Sequence, residues 1–231
     1  MFASLKLRGT PVTDDDKLLD THFGYNSARP EITRRPSHDL FECIEQSENK
    51  RLTDEQARYV FAQVVDAVEY LDSLGIAHRD IKDENVVIDK NLKVTTLFSC
   101  RDFLLIMGFQ VKLIDFGSAI GVDPSLPRPT YQIFYGTAAY ASSEILLKQE
   151  YKAAPAEIWT LGVLLSYLLA GISPFPNIRD AVDGRISLPV NVVGEISDEA
   201  MDLMRRCLNP NPRKRATISQ VKAHPWLRGK Q

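Results

Sequence analysis

Charged and amide side chains suited to chemistry on a phosphate group lie in two short, separate runs of the sequence. Asp80, Lys82 and Asn85 fall within the run HRDIKDEN that starts at His78, and Asp115 opens the later run DFG. Carboxylate and carbonyl oxygens are the ligands that Mg²⁺ prefers, together with the oxygens of a bound phosphate, and lysine supplies a mobile positive charge. These residue types fit a site that holds a metal-bound phosphate.

The two runs resemble the catalytic-loop and metal-loop signatures of eukaryotic protein kinases. Either run alone is common by chance, because acidic residues mostly lie on protein surfaces. Here a second series follows in the order that kinases have: Gly136-Thr137 with Tyr140, Glu144, Trp159 with Leu161-Gly162, Pro174-Phe175 and Arg215. Two signatures and an ordered series together indicate a member of this family.

The resemblance covers about residues 37–227, and the runs HRDIKDENVVID, KLIDFGSA and HDLFECIE are most similar to the PAS-domain kinases and their neighbours in the calcium/calmodulin-kinase-like group. It implies a mainly α fold: the large lobe of a protein kinase with a small β-hairpin element, the small lobe being largely missing. We therefore expect an irregular segment over residues 1–36 with a hinge remnant at 2–10, a kinase domain over 37–227 and a tail over 228–231.

The resemblance also implies the chemistry of a Ser/Thr kinase, which transfers the γ-phosphoryl group of ATP, with Mg²⁺, to Ser or Thr of a protein substrate. Asp80 would accept or orient the proton of the substrate hydroxyl, and Lys82, the residue that Ser/Thr kinases use here, would point at the transferring phosphate. Asn85 and Asp115 would bind magnesium. Val87 would lie under the adenine.

Further residues are expected to support this site: His78, Arg79, Phe116, Gly117, Thr137, Glu144, Glu157 and Arg215. For His78 we favour a buried, hydrogen-bonded packing role. Thr137 would bond near Asp80 and Lys82, or it simply forms a turn.

Three departures from the usual pattern concern the activation segment, residues 115–144, and the helix after it. Ser142-Ser143 replaces Ala-Pro before Glu144, whose ion pair with Arg215 would still anchor the segment. Glu157 replaces the usual Asp, so its reach to the catalytic-loop backbone is in question.

The third departure is Ile133, which occupies the position where many kinases carry the phosphorylated residue that pairs with Arg79. We therefore expect activity that is independent of activation-segment phosphorylation, with packing of Phe134 and Tyr135 among the contacts that hold the segment.

A kinase also needs a glycine-rich phosphate loop and a strand lysine paired with a helix glutamate. The early glycines and lysines stand in no such context: Gly9, Gly24, Gly75, Lys6 and Lys17. Two functions are therefore open. One is a Ser/Thr kinase whose chain is truncated, favoured by the retained catalytic residues; the other is a catalytically inactive kinase-like module that binds proteins, favoured by the missing phosphate loop.

An apolar segment over residues 94–110 splits the expected hairpin, whose loop would ordinarily run about two to five residues. The segment begins with Val, whose codons start with GT, and ends with Gln, one codon of which is CAG, so a short intron translated in frame is one interpretation. The other is a real insertion that packs on the lobe or on a partner.

The elements that must position these residues follow from local patterns. Helical periodicity and capping residues predict helices over 37–46, 53–75 and 156–170, and two more that begin at Ser197 and Thr217. Ser37 would cap the first of these helices. The helix over 53–75 starts with a capping box of Thr53 and Gln56 and is stopped by Gly75, and Thr217 with Gln220 forms a second capping box. Short β-branched runs predict strands over 85–88 and 111–114.

Composition narrows the function further. With 28 basic and 30 acidic residues the net charge is -2, which predicts no nucleic-acid partner. The three cysteines are odd in number and widely spaced, which argues against disulfides and a zinc site and favours a reducing, cytoplasmic location. No apolar run approaches the roughly 18 residues of a membrane span.

Overall fold

The structure, a computed structural model, describes residues 38–88 and 111–228, and within these ranges it is mainly helical, as predicted. The helices are α1 Leu40–Gln46, α2 Asp54–Ser73, α3 Ser143–Leu146, α4 Ala153–Ala170, α5 Ile178–Asp183, α6 Val190–Val193, α7 Asp198–Cys207, α8 Ile218–Lys222 and α9 Pro225–Arg228. The strands are β1 His38–Asp39, β2 Ile76–Ala77, β3 Val86–Ile88, β4 Val111–Leu113 and β5 Ile120–Gly121. Short 3₁₀ turns lie at Glu48–Lys50, Asp83–Asn85, Phe116–Ser118 and Ala138–Tyr140.

Side-chain caps begin most of the longer helices. The capping box predicted at Thr53 and Gln56 is present at the start of α2. The predicted caps Ser197 of α7 and Thr217 of α8 are also confirmed. The prediction for α1 is wrong at its start, because Asp39 caps it by accepting a hydrogen bond from the Glu42 N–H at 2.7 Å.

Pairing of β1 with β3 explains this shift. His38 pairs with Ile88 and Asp39 with Val87, so the chain is extended up to Asp39 and the helix starts after it. Ser37, the predicted cap, lies outside the described residues. Long-range strand pairing has overridden a local capping pattern.

The predicted catalytic loop, residues 78–85, lies between strands of two small antiparallel sheets. One has the strand order β1-β3-β4, in which Val86 pairs with Leu113 and Ile88 with Val111, and the other joins β2 to β5. Strands β3 and β4 thus form the hairpin pairing that the sequence predicts, although residues 89–110 separate them in the chain. The segment 94–110 itself lies outside the described residues, as do residues 1–37 with the predicted hinge remnant, and 229–231 of the predicted tail.

Helix α4 forms the centre of the core and packs against α2 and α7. It is buried nearly all round, as its apolar sequence predicts, and begins at Ala153 with Pro155 in its first turn, where the missing N–H is tolerated. At Gly162 a Cβ atom would lie 2.8 Å from Cys207 and 2.7 Å from Leu208, so glycine permits this close approach. Among described helices α4 alone has the length and hydropathy of a membrane span, but 78% of that stretch is buried in the lobe.

Candidate active site

Glu157 on α4 holds the backbone of the catalytic loop. Its Oε1 accepts hydrogen bonds from the backbone N–H groups of His78 and of Arg79, the second at 2.9 Å. Arg79 has a left-handed φ of 66°, which costs a non-glycine residue of the order of 1 kcal/mol and needs such support. The extra methylene of Glu157 therefore does not prevent it from reaching the loop.

Burial makes this carboxylate unusual. Glu157 is 4% exposed, and desolvation raises its pKa to about 7, although the bonds from the Arg79 and His78 N–H groups favour the charged form. The group that positions the loop therefore titrates near neutral pH.

His78 is a fully buried packing residue, as predicted. Its Nε2 donates to the Ile114 carbonyl at 3.0 Å, and its Nδ1 accepts from the Asp80 N–H at 3.4 Å. Burial lowers the pKa of the imidazole, so the ring is neutral and these two bonds fix its tautomer. Its edge contact with Phe116, at a centroid distance of 4.7 Å, joins the catalytic loop to the metal loop.

Asp80 is fixed by hydrogen bonds from both sides. Its Oδ1 accepts from the Thr137 N–H at 2.9 Å and from the Thr137 hydroxyl at 2.8 Å. Its Oδ2 accepts from Asn85 Nδ2 at 3.1 Å. The contact predicted between Thr137 and Asp80 is therefore present, and Thr137 also precedes the 3₁₀ turn Ala138–Tyr140, so both interpretations of this residue hold.

Asn85 and Asp115 are brought to the same end of the β3–β4 pair. The Ile114 N–H donates to the Asn85 carbonyl at 3.0 Å, which continues the strand pairing up to Asp115. Asn85 Nδ2 donates to two oxygens of Asp80, so the orientation of its amide is fixed and Oδ1 is left as the acceptor.

Asp115 has a left-handed φ of 61°, and its exposed carboxylate accepts a hydrogen bond from the Gly117 N–H at 3.2 Å. Within the described ranges, no three His, Cys, Asp or Glu side chains cluster to hold a metal. One carboxylate and one amide oxygen still fit Mg²⁺, which commonly takes few protein ligands and completes its shell with phosphate and water.

Lys82 and Val87 complete the predicted set. The Lys82 ammonium forms an ion pair with Glu84 Oε2 at 2.7 Å, and this bond is the main cause that raises its pKa. Val87 is half-buried on the face of β3 opposite to the buried Val86 and Ile88. The lysine is therefore charged, and it contacts Glu84 in this structure.

Arg79 faces the activation segment and is surrounded by aromatic rings. Its Nε donates to the Ser118 carbonyl at 2.6 Å, and its guanidinium lies 5.7 Å from the ring centre of Tyr131 and 5.1 Å from that of Tyr135. Ile133, at the usual phosphorylation position, is 63% exposed.

The ion pair expected between Glu144 and Arg215 is present and buried. Nη2 lies 2.6 Å from Oε2, and Nη1 lies 2.9 Å from Oε1. Burial by itself raises the Glu144 pKa, but the bonds and charge of Arg215 outweigh it and leave that pKa below its ordinary value. Ser143, in place of proline, donates to the Pro210 carbonyl at 2.6 Å.

Two contacts of the site were not anticipated from the sequence. The Tyr140 hydroxyl donates to the buried Asp83 Oδ1 at 2.9 Å, which joins the catalytic loop to the segment that carries Thr137. The second is the aromatic surround of Arg79. Tyr140 already belongs to the ordered kinase series, so its spacing from Thr137 was the available signal; the aromatic surround depends on long-range packing and has no local signal.

This arrangement of a fixed carboxylate, an amide and carboxylate pair and an anchored segment defines the large lobe of a protein kinase. The model of the protein kinase domain matches residues 32–227, so the chain belongs to the protein kinase family.

Individual relatives agree with this assignment. The chain is 36% identical over 192 residues to the serine/threonine-protein kinase PSK2 of Saccharomyces cerevisiae, which is 83% of this chain and 15% of that protein. It is 34% identical to pim-2 of Danio rerio, over 85% of this chain and 56% of that protein. The PAS domain-containing serine/threonine-protein kinase of Mus musculus is 34% identical, over 82% of this chain and 12% of that protein. The chain thus spans only part of each of these relatives.

Proposed function

We propose that this protein is a Ser/Thr protein kinase in which the described lobe supplies the base, the phosphate-directed lysine and the metal ligands. The observation that carries the proposal is the Asp80 carboxylate, held by Thr137 on one oxygen and Asn85 on the other. A carboxylate fixed in this way can orient a hydroxyl for attack without reorganising during the reaction.

The remaining residues of the site would bind the metal ion and the charged nucleotide. Bound Mg²⁺ and ATP supply the transferable phosphoryl group and neutralise part of its negative charge. Asn85 Oδ1 and the Asp115 carboxylate would hold the metal, and Lys82 would turn from Glu84 to the phosphate. Val87 would give the adenine an apolar floor.

The substrate is a protein that presents Ser or Thr, and the location is intracellular. These proposals are supported by the named Ser/Thr kinases among the relatives and by Lys82 in the catalytic loop. The alternative, a catalytically inactive module that binds proteins, is favoured by the missing phosphate loop, whereas the retained Asp80, Lys82, Asn85 and Asp115 favour the kinase.

The test replaces Asp80 and Asp115 singly by Asn in a protein that carries a complete small lobe. Each change should lower kcat by about a hundredfold or more, because each removes a charge placed for the transition state. The control is Asp123→Asn, which changes an exposed carboxylate that accepts hydrogen bonds from the N–H and hydroxyl of Ser125, two residues away. Turnover within tenfold of wild type for either site variant, at saturating Mg²⁺ and ATP, would refute the proposal.

A further inference from the structure

A short backbone pairing fastens the activation segment to the chain just before α4. The Tyr131 N–H donates to the Tyr151 carbonyl at 2.8 Å, and the Tyr151 N–H donates to the Tyr131 carbonyl at 3.0 Å. The Tyr151 hydroxyl adds a hydrogen bond to the Ile133 carbonyl at 3.0 Å. Since the pairing is an isolated bridge, side chains around it must help to hold the segment.

Glu150 provides that help with both of its carboxylate oxygens. Oε1 accepts from Gln132 Nε2 at 3.0 Å, and Oε2 accepts from the Thr130 hydroxyl at 3.3 Å. The two donors lie on either side of Tyr131, so one carboxylate secures both flanks of the bridge. Hydrogen bonds to a charged acceptor are stronger than neutral ones, although exposure weakens each of them here.

Arg79, the residue that would bind a phosphate on the activation segment, already has other partners. In many kinases a phosphate on the activation segment orders that segment by binding basic side chains. Here Arg79 is already occupied by the Ser118 carbonyl and the rings of Tyr131 and Tyr135, and Ile133 has no hydroxyl to phosphorylate. The negative charge that meets the segment comes instead from the body of the lobe.

We propose that Glu150 is a positioning residue for the kinase reaction: its carboxylate binds Thr130 and Gln132 and so holds the activation segment in place without a phosphate on that segment. We call Glu150, Tyr151 and the stretch 130–133 the Glu150 clamp. Its catalytic consequence rests on the proposed kinase function, whereas its hold on the segment can be measured without any activity.

The segment connects the clamp directly to the catalytic base. Ser118 Oγ donates to the Tyr135 carbonyl at 3.1 Å, and a Cβ atom on Gly136 would lie 2.5 Å from the Arg79 carbonyl oxygen. The next residue is Thr137, which donates both bonds to Asp80 Oδ1. Movement at 130–133 therefore shifts the group that orients the base.

Hydrogen exchange of the 231-residue chain tests the clamp. In Glu150→Ala the Tyr131 and Tyr151 amides should exchange about three- to tenfold faster, because the bridge opens more often without its flanking bonds. Glu150→Asp keeps the charge and should retain part of the protection. Glu199→Gln is the matched control, an exposed acid on α7 far along the chain from the segment.

A double-mutant cycle identifies the partner. Gln132→Ala should accelerate exchange of the same amides, and adding it to Glu150→Ala should produce much less than the sum of the two single effects. In an active enzyme with a complete small lobe, Glu150→Ala should lower kcat/KM about three- to tenfold, with Glu150→Asp restoring part of it.

The outcomes separate the two proposals. Faster amide exchange in Glu150→Ala supports the clamp. If the wild-type protein with a complete small lobe then shows no kinase activity, the clamp stands and the proposed kinase function is overturned. Unchanged exchange in Glu150→Ala, or fully additive effects with Gln132→Ala, overturns the clamp even in an active kinase.

Discussion

Replacing Arg215 by Ala should destabilise the lobe more than any surface charge change, because it leaves Glu144 buried without a partner. Arg215 makes two bonds to Glu144 and donates to the carbonyls of Pro155 at 2.7 Å and Asn209 at 2.9 Å. Its guanidinium also lies 5.0 Å from the ring centre of Trp159. Breaking a buried pair costs about 3–5 kcal/mol, a large part of the roughly 5–15 kcal/mol that stabilises a typical protein.

The free energy of unfolding in urea, at neutral pH, measures this effect. Arg185→Ala is the matched control, because Arg185 also contacts two carboxylates, Asp180 at 3.0 Å and Asp183 at 2.8 Å, but is 56% exposed. That change should cost less than about 1 kcal/mol. A loss below about 1 kcal/mol for Arg215→Ala, equal to the control, would refute the reasoning.

The pair should also weaken in acid. The pKa of Glu144 is lower in the folded state than its ordinary value, so the folded state binds fewer protons than the unfolded state as the pH falls. The stabilisation is complete above the ordinary carboxyl pKa and is lost as the pH falls through the folded value. The difference in unfolding free energy between wild type and Glu144→Gln should shrink over that window.

The remaining predictions concern Glu157, the split hairpin and regulation. The pKa of Glu157 is raised to about 7, so between pH 4.5 and 7 the folded state keeps a proton that the unfolded state has lost. The free energy of unfolding, measured in urea, should therefore fall as the pH rises from about 4.5 towards 7. Glu157→Gln should flatten that slope, and an unchanged slope contradicts the prediction. Deleting residues 94–110 should raise the melting temperature, because the deletion joins β3 to β4 by a short loop. A lower melting temperature for the deletion variant would show that the insertion belongs to the fold. Phosphatase treatment of an active enzyme should change kcat/KM less than tenfold, since Ile133 cannot be phosphorylated; a larger fall, about 1.4 kcal/mol or more, refutes it.

Features that depend on neighbours in sequence could be predicted well. Local patterns predict the capping boxes at Thr53 and Thr217, and the structure has both. A local pattern also predicts that α4 is buried, because its own residues are apolar on nearly every side. The pairing of β3 with β4 was also predictable, because their runs read as one hairpin once the intervening residues are set aside.

Features set by distant parts of the chain could not be predicted in the same way. The start of α1 moved because β1 pairs with β3, and the bridge between Tyr131 and Tyr151 joins segments with no shared local pattern. Lys82 and Glu84 are only two residues apart, but the family resemblance predicts a phosphate as the partner of Lys82, so their ion pair was not expected. Sequence spacing predicted the candidate catalytic side chains, while the contacts that hold them depend on packing.

The pairing of β3 with β4 across a long intervening stretch makes this lobe a natural candidate for division into two polypeptides. One piece, ending after Ile88, would carry Asp80 and Asn85, and the other, beginning near Val111, would carry Asp115 and Thr137. The strand register specifies how the pieces must meet, and the bonds of Thr137 to Asp80 form only when they have met. With a complete small lobe joined to the first piece, phosphoryl transfer by such a pair would report that two separate chains had come together, so the interrupted hairpin could become the joint of a split reporter.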